Sequence, residues 1–227
     1  MKIAEIYQSR QGEGALTGTT SVFVRTSGCN LRCRFCDTPY ASWRPEGDDL
    51  AIDSILARIE SFEARHVVLT GGEPMLFAEL IPLCDALSQR DYHITVETAG
   101  TLFLPVMCDL MSISPKLSNS LPDESVGGWR ARHERTRRQP EVLRRLIADY
   151  SYQLKFVVQS PGDLEEVEAF LRSLGPVSRD RVWLMPQARS IEEQSAVEPW
   201  LDSYCRQRGY RYCPRRQLEW YGPVRGT

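Results

Sequence analysis

Three cysteines spaced as C-x3-C-x2-C, at Cys29, Cys33 and Cys36, constrain this chain more than any other feature. Three thiolates on one short loop can bind three corners of a cube-shaped iron–sulfur cluster, whereas zinc sites and electron-transfer clusters normally take a fourth protein ligand. One iron would then lack a protein ligand and would be free to bind a substrate. The spacing therefore predicts chemistry at a cluster rather than a structural metal clip.

The composition limits where this chemistry takes place. The 227 residues are 42% apolar and 26% charged, and the net charge of −2 predicts no attraction to nucleic acid or membranes. We find no signal-peptide pattern and no apolar run long enough to span a bilayer, so we expect a cytoplasmic protein. Seven cysteines are an odd number, three of them clustered, which disfavours a disulfide framework. The other four are predicted to be small buried apolar side chains: Cys84, Cys108, Cys205 and Cys213.

Apolar strands alternate with amphipathic helices along the chain, which predicts an α/β fold with a parallel sheet. After an opening hairpin-like segment we expect a partial, splayed TIM-like barrel of about six parallel strands with helices outside. The chain is predicted to be a single domain, 1–227, and its last long helix to kink or restart at Pro199. The predicted strands are 3–7, 21–25, 66–70, 92–96, 109–112, 152–158 and 182–185, and the predicted helices cover 52–62, 80–87, 164–174 and a segment after 190.

Polar residues follow the apolar strands at their carboxyl ends, where a parallel barrel carries its active site. Gly71-Gly72-Glu73-Pro74 is one example, in which the glycines permit close approach of a ligand and Glu73 offers an acceptor to an ammonium group. A plain tight turn explains that motif alone equally well. Arg25, just before the cysteine loop, is either a clamp for a carboxylate or an ordinary charge at a strand end.

A polar segment at about 117–139 interrupts the alternation like an insertion. We expect a solvated loop or a short helix there. Binding of an anion or RNA is a weaker interpretation, because Trp129 is the only aromatic residue among the basic ones. The arginines are Arg130, Arg132, Arg135, Arg137 and Arg138.

The cysteine loop, the Gly-Gly-Glu-Pro motif and the polar strand ends together resemble the radical S-adenosylmethionine (SAM) superfamily. The resemblance implies a 4Fe-4S cluster on the three cysteines, with the amine and carboxylate of SAM on the open iron. One electron would then cleave the sulfonium to a 5′-deoxyadenosyl radical. It also implies that Phe35 flanks the adenine and that Gly71, Gly72 and Glu73 hold the methionine amine.

Within that superfamily the chain resembles the 7-carboxy-7-deazaguanine synthase family. The resemblance rests on Gln11-Gly12-Glu13-Gly14, on Phe23 to Asn30, on Cys36-Asp37-Thr38, and on Glu97-Thr98-x-Gly100-Thr101 followed by Ser114-Pro115-Lys116. It implies a lyase of queuosine and 7-deazapurine biosynthesis that converts 6-carboxy-5,6,7,8-tetrahydropterin to 7-carboxy-7-deazaguanine with loss of ammonia.

The same resemblance assigns roles to individual residues. Thr38 would bind Mg²⁺, which otherwise keeps its waters. The carboxyl-terminal segment departs from the family pattern: it lacks the expected histidine, and Glu219 stands near its place. Ser114, Lys116 and Gln187 would contact SAM, and the residues that would bind substrate are Gln11, Glu13, Arg25, Thr70 and Glu97.

Two other functions remain open at this point. An activase that makes a glycyl radical on a partner protein uses the same cysteine spacing, and a non-catalytic iron–sulfur or RNA-binding module would explain the arginines. For the preferred enzyme we expect a reductant such as flavodoxin or ferredoxin. We also expect a homodimer, because open edge strands are usually covered.

Overall fold

A mostly parallel sheet runs through the computed structural model, which describes residues 1–222 and 224–226. Within these residues the sheet has nine strands in the order β3-β1-β2-β4-β5-β6-β7-β8-β9. The strands are β1 Lys2–Arg10, β2 Thr20–Thr26, β3 Asp48–Asp49, β4 His66–Gly71, β5 His93–Thr98, β6 Leu110–Ile113, β7 Tyr152–Val158, β8 Val182–Pro186 and β9 Arg211–Tyr212.

The direction of the strands confirms the predicted fold class. Every neighbouring pair from β2 and β4 through to β9 is parallel, while β1 runs antiparallel to both β2 and β3. The six predicted parallel strands are present, and the two-residue β9 adds another at the edge. All their carboxyl ends therefore lie along one rim, as in a barrel that is not closed.

Helices cover one face of this sheet. Apolar residues at helical spacing explain them: Ile55, Leu56 and Ile59 of α2 are buried against the strands. None of the helices in the described residues has the length and apolar character needed to cross a membrane. The helices are α1 Pro39–Ser42, α2 Ile52–Glu60, α3 Leu80–Ser88, α4 Trp129–Arg137, α5 Pro140–Asp149, α6 Asp163–Leu174, α7 Ile191–Arg208 and α8 Arg216–Tyr221.

The two faces of the sheet differ in polarity. Ile94 and Val96 of β5 belong to the apolar core under the helices, whereas Thr95 and Glu97 alternate with them on the other face. Thr70 of β4 is buried on the same inner face, where its hydroxyl donates to Glu97. The inner face of the open barrel thus carries polar side chains at the carboxyl ends of β4 and β5.

The helices differ from the sequence-based expectation in two places, at Pro199 and at α5. The helix α7 continues from Ile191 to Arg208 through Pro199 without a restart, after an amino-terminal cap in which the Ser190 hydroxyl accepts the amide hydrogen of Glu193. The segment 117–139 contains the expected short helix, α4, which buries His133 and Arg137 and is therefore not wholly solvated. The helix α5, directly after it, had no counterpart in the prediction.

Candidate active site

The cysteine loop leaves the carboxyl end of β2 and is joined to the end of β4 by backbone hydrogen bonds. Gly28 donates its amide hydrogen to Ala41 O (2.8 Å), and its own carbonyl accepts from the amide of Glu73 (2.9 Å). A Cβ atom on Gly72 would lie 2.1 Å from Gly28 O, so only glycine permits this approach. The Gly-Gly-Glu motif and the cysteine loop therefore form one unit at the rim.

The three predicted cluster ligands are half-buried free thiols on this loop. Burial raises the pKa of Cys29 to about 12 and that of Cys33 to about 11, as expected for neutral thiols out of water. Cys36 Sγ lies 3.1 Å from the Ser42 hydroxyl. Thiolate sulfur is the donor that iron–sulfur clusters require, so this donor set fits the predicted cluster.

Glu73 has no exposed surface in the structure. Its carboxylate accepts hydrogen bonds from the amides of Met75 (3.1 Å) and Ala99 (2.9 Å) and from the Thr98 hydroxyl (2.8 Å). Burial raises its pKa, although these donors act in the opposite sense. This side chain thus ties the end of β4 to the end of β5, and its contact with a methionine amine stays a prediction.

Three of the predicted substrate residues meet through one carboxylate on the inner face. Glu97 accepts from the Gln11 side-chain amide (3.2 Å) and from the Thr70 hydroxyl (2.8 Å). Gln11 also accepts the backbone amide hydrogen of Glu13 (3.1 Å), which fixes the turn that carries both residues. These bonds therefore join the turn at 11–14 to the ends of β4 and β5, and they bring predicted substrate-binding residues together.

Lys155 of β7 completes this network from the opposite side. Its ammonium group is buried and lies 3.0 Å from Glu13 Oε2 and 3.4 Å from Glu97 Oε1. Burial opposes the charge on Glu13, yet Lys155 and Arg215 together hold its pKa at about 2. Both carboxylates face the Lys155 ammonium group, so the centre of the barrel is strongly polar.

The carboxyl-terminal segment also reaches this site. Arg215 donates to Glu13 (3.3 Å) and to Asp37 (2.5 Å), and the Gln217 side-chain amide donates to Glu13 (2.7 Å). Arg215 and Gln217 were not predicted as site residues, because no local sequence pattern marks them. Glu219, which stands near the missing histidine, pairs instead with Arg216 and Gln194.

Arg25 lies beside Thr70 in the sheet and is engaged by the opening hairpin. Its Nε donates to Glu5 Oε1 (2.7 Å) and one terminal nitrogen donates to the Tyr7 hydroxyl (2.9 Å). The ring of Tyr7 stacks on Phe23 with 5.3 Å between centroids. One edge of the guanidinium is therefore fixed by the protein, and the carboxylate clamp stays a prediction.

The remaining predicted residues lie around the rim. Thr38 Oγ1 is 3.8 Å from Cys36 Sγ, at the start of α1. Lys116 donates to the Ser114 hydroxyl (2.8 Å), and its charge acts on Cys33. Phe35 is half-buried on the loop, and Gln187 follows β8 with its amide on Val158 O (2.8 Å).

Comparisons with known proteins agree with this geometry. Residues 23–117 match the model of the Radical SAM superfamily. The chain is 48% identical to a 7-carboxy-7-deazaguanine synthase from Rhodopirellula baltica over 99% of its own length and 88% of the relative's. The chain belongs to the 7-carboxy-7-deazaguanine synthase family. The chain is also 43% identical to a 7-carboxy-7-deazaguanine synthase from Halobacterium salinarum, over 95% of this chain and 88% of the length of that relative.

The fold of this family agrees as well. The crystal structure of QueE from Escherichia coli superposes with a TM-score of 0.69 at 25% identity, covering 94% of this chain and 92% of that one. The chain is therefore an enzyme of the radical SAM superfamily, and membership implies the 4Fe-4S cluster and SAM. The family assignment overrules the glycyl-radical activase and the non-catalytic binding module. The roles of individual site residues in this 7-carboxy-7-deazaguanine synthase family member stay predictions.

Proposed function

We propose that this enzyme converts 6-carboxy-5,6,7,8-tetrahydropterin to 7-carboxy-7-deazaguanine with loss of ammonia. The observation that carries the proposal is the network of Gln11, Thr70 and Glu97 with Lys155 and Glu13, which lines the barrel beside the cysteine loop. A pterin presents several donors and acceptors on one flat edge. A ring of fixed amide, hydroxyl and carboxylate groups is suited to bind such an edge.

The protein's part in this reaction is to bind and orient. When bound, the cluster and SAM supply the radical that starts the rearrangement. Cys29, Cys33 and Cys36 would hold the cluster, while Phe35, Ser114, Lys116 and Gln187 would contact SAM. Gly71 lies against Thr26 at the end of β2 and Gly72 against Gly28, so the backbone that would hold SAM packs directly on the start of the cysteine loop. Substrate and cofactor are then held on one rim, which the sheet keeps rigid.

Different charged side chains would bind the carboxylate and the ring of the substrate. Arg25 would receive the substrate carboxylate through the guanidinium nitrogen that Glu5 and Tyr7 leave open. Glu13 and Glu97 would accept from the pterin ring while Lys155 neutralises them. Because its pKa is lowered to about 2, Glu13 would act as a hydrogen-bond acceptor rather than as a proton donor.

Thr38 would provide one oxygen to Mg²⁺, and substrate and water would supply the others. Asp37 beside it is a second oxygen donor on the same turn, although its carboxylate is paired with Arg215. Magnesium next to the substrate carboxylate would fix the orientation of the reacting carbon.

We further infer a one-electron reductant such as flavodoxin or ferredoxin, a homodimer, and a cytoplasmic location. For the dimer, the support is the set of exposed apolar side chains, in which Met107 is 57% and Leu76 43% exposed. The edges of the sheet supply little support, because β3 and β9 have two residues each and carry charges. Light scattering of the purified protein measures the oligomeric state directly.

The test of the function is direct. The protein, reconstituted anaerobically with iron and sulfide, is incubated with SAM, dithionite, Mg²⁺ and 6-carboxy-5,6,7,8-tetrahydropterin, and the products are identified by mass spectrometry. We expect 7-carboxy-7-deazaguanine and 5′-deoxyadenosine. Cleavage of SAM without any deazaguanine would refute the proposed substrate, and the triple variant Cys29→Ala, Cys33→Ala, Cys36→Ala is the control for cluster-independent chemistry.

A further inference from the structure

The arginine-rich segment 117–139 contacts the cysteine loop at both residues that flank Cys33. The amide hydrogen of Arg32 is donated to His133 Nδ1 (3.1 Å), and the amide hydrogen of Arg34 to Ser120 O (3.0 Å). The Arg32 guanidinium also stacks over Trp129 of α4, 4.0 Å from the ring centroid. The segment therefore holds the middle of the loop from outside the barrel.

The hydrogen bonds of His133 identify its tautomer. Since Nδ1 accepts from the Arg32 amide, the hydrogen of the neutral ring is on Nε2, which donates to the Ser120 hydroxyl (3.0 Å). That hydroxyl in turn donates to Leu117 O (2.6 Å). His133 has no exposed surface, so both of its ring nitrogens are used inside the protein.

The surroundings keep this histidine neutral and in place. Burial, followed by the charges of Arg137 and Lys116, lowers the pKa of His133 to about 4. Arg137 is itself buried and fixes α4 through Glu134, Glu166 and the carbonyl oxygen of Lys116, at 2.7 to 3.0 Å. The Nδ1 atom of His133, which accepts from the cysteine loop, is thus held in place by the fixed helix α4.

We propose that His133 is a positioning residue for the cluster: it holds the Arg32 amide away from the cluster sulfurs and so keeps the cluster at a low potential. Amide hydrogens that point at cluster sulfurs stabilise the more negative, reduced state and raise the potential. The two amides next to Cys33 are instead committed to Ser120 and His133. The inference rests on the proposed binding of the cluster by Cys29, Cys33 and Cys36.

Three substitutions separate the two bonds of the imidazole. In His133→Asn the side-chain oxygen takes the place of Nδ1 and keeps the bond to Arg32. In His133→Gln the side chain reaches the position of Nε2 and keeps only the bond to Ser120. His133→Phe removes both bonds with little change in volume. Each variant is studied as reconstituted holoenzyme without substrate, so that the outcome does not depend on the proposed reaction.

Two measurements are made on each variant: hydrogen exchange of the peptide that contains Arg32, and an anaerobic redox titration of the cluster followed by electron paramagnetic resonance. In His133→Phe and His133→Gln we expect exchange to be at least tenfold faster. At a fixed solution potential we expect the ratio of reduced to oxidised cluster to rise at least threefold. In His133→Asn both quantities are expected to stay within twofold of the wild type.

Several results would overturn the inference. One is an asparagine variant that behaves like the glutamine variant, since the bond to Arg32 would then not be what matters. Another is faster exchange with an unchanged potential, which would leave His133 a purely structural role. If His133→Phe fails to fold, His133→Asn and His133→Gln still test the inference, because only the asparagine keeps the bond to Arg32. A protein that takes up no cluster would refute the proposed cluster binding instead, and iron content detects that case.

Discussion

Lys155 and Glu13 form a buried ion pair, with 3.0 Å between Nζ and Oε2, although 142 residues separate them in sequence. Neither charge would be stable alone in this position, because removing an ion from water costs several kcal/mol. Two further ion pairs surround this one. The carboxylate of Glu97 lies 3.4 Å from the Lys155 ammonium group, and the Arg215 guanidinium lies 3.3 Å from the Glu13 carboxylate. The strand β7 and the turn at 11–14 are thereby fixed to each other at the centre of the site.

This pair predicts a dependence of stability on pH. The pKa of Glu13 is about 2 in the folded protein and 4.5 in its ordinary state, so the folded protein binds fewer protons between these values. The stabilisation is complete above pH 4.5 and is lost as the pH falls towards 2. A shift of this size corresponds to roughly 3 kcal/mol. Urea unfolding at several pH values, followed by circular dichroism, measures it.

The variant that tests this assignment is Glu13→Gln. Its control is Glu141→Gln, because the Glu141 side chain is 86% exposed. We expect the free energy of unfolding of the Glu13 variant at pH 7 to be lower by about 3 kcal/mol, because Lys155 and Arg215 lose a partner. Below pH 4.5 its free energy of unfolding should depend less on pH than that of the wild type. The Glu141 variant should follow the wild type. Equal curves for all three proteins would contradict the assignment.

Gly12 predicts a second effect, on the carboxyl-terminal segment. A Cβ atom at this position would lie 2.1 Å from Gln217 Oε1 and 2.8 Å from the backbone nitrogen of Gln217. We therefore expect Gly12→Ala to displace that segment from Glu13 and to raise the KM for the pterin at least tenfold. Gly162→Ala is the matched control, since its Cβ meets only Ser160 Oγ at 3.6 Å. A Gly12 variant with normal KM would show that the segment does not shape the site.

Contacts encoded by local sequence patterns were predictable, whereas contacts between distant segments were not. The strands and their order were predictable because apolar periodicity and parallel crossovers are local signals, and polar strand ends such as Thr70 and Glu97 then had to meet. Arg215 reaches Glu13 across 202 residues, and no local pattern encodes such a path. His133 was hidden among arginines, whose charge suggested a solvated helix although the histidine is buried.

Substitution of Arg25 is expected to weaken binding of the substrate without affecting binding of SAM. The Arg25 guanidinium already donates to Glu5 and Tyr7 and has a further nitrogen for the substrate, whereas the single ammonium group of a lysine cannot reproduce all three contacts. We expect Arg25→Lys to weaken binding of the pterin at least tenfold and to leave binding of SAM within twofold, measured by anaerobic calorimetry. Arg144→Lys, at an exposed pair with Glu141, is the control. Unchanged pterin affinity would refute the clamp.

Thr38 predicts how the enzyme depends on magnesium. Its hydroxyl lies 3.8 Å from Cys36 Sγ, close enough for an ion bound there to lie beside the cluster. Mg²⁺ accepts few protein oxygens and keeps its waters, so the loss of one protein ligand weakens binding without abolishing it. We expect Thr38→Ala to raise the Mg²⁺ concentration for half-maximal activity at least tenfold and Thr38→Ser to stay within threefold of the wild type. Cluster content should be equal in all three proteins. If the alanine variant responded to Mg²⁺ like the wild type, the ion would have to be held by other groups, and Asp37, on the same turn, would be the next residue to substitute.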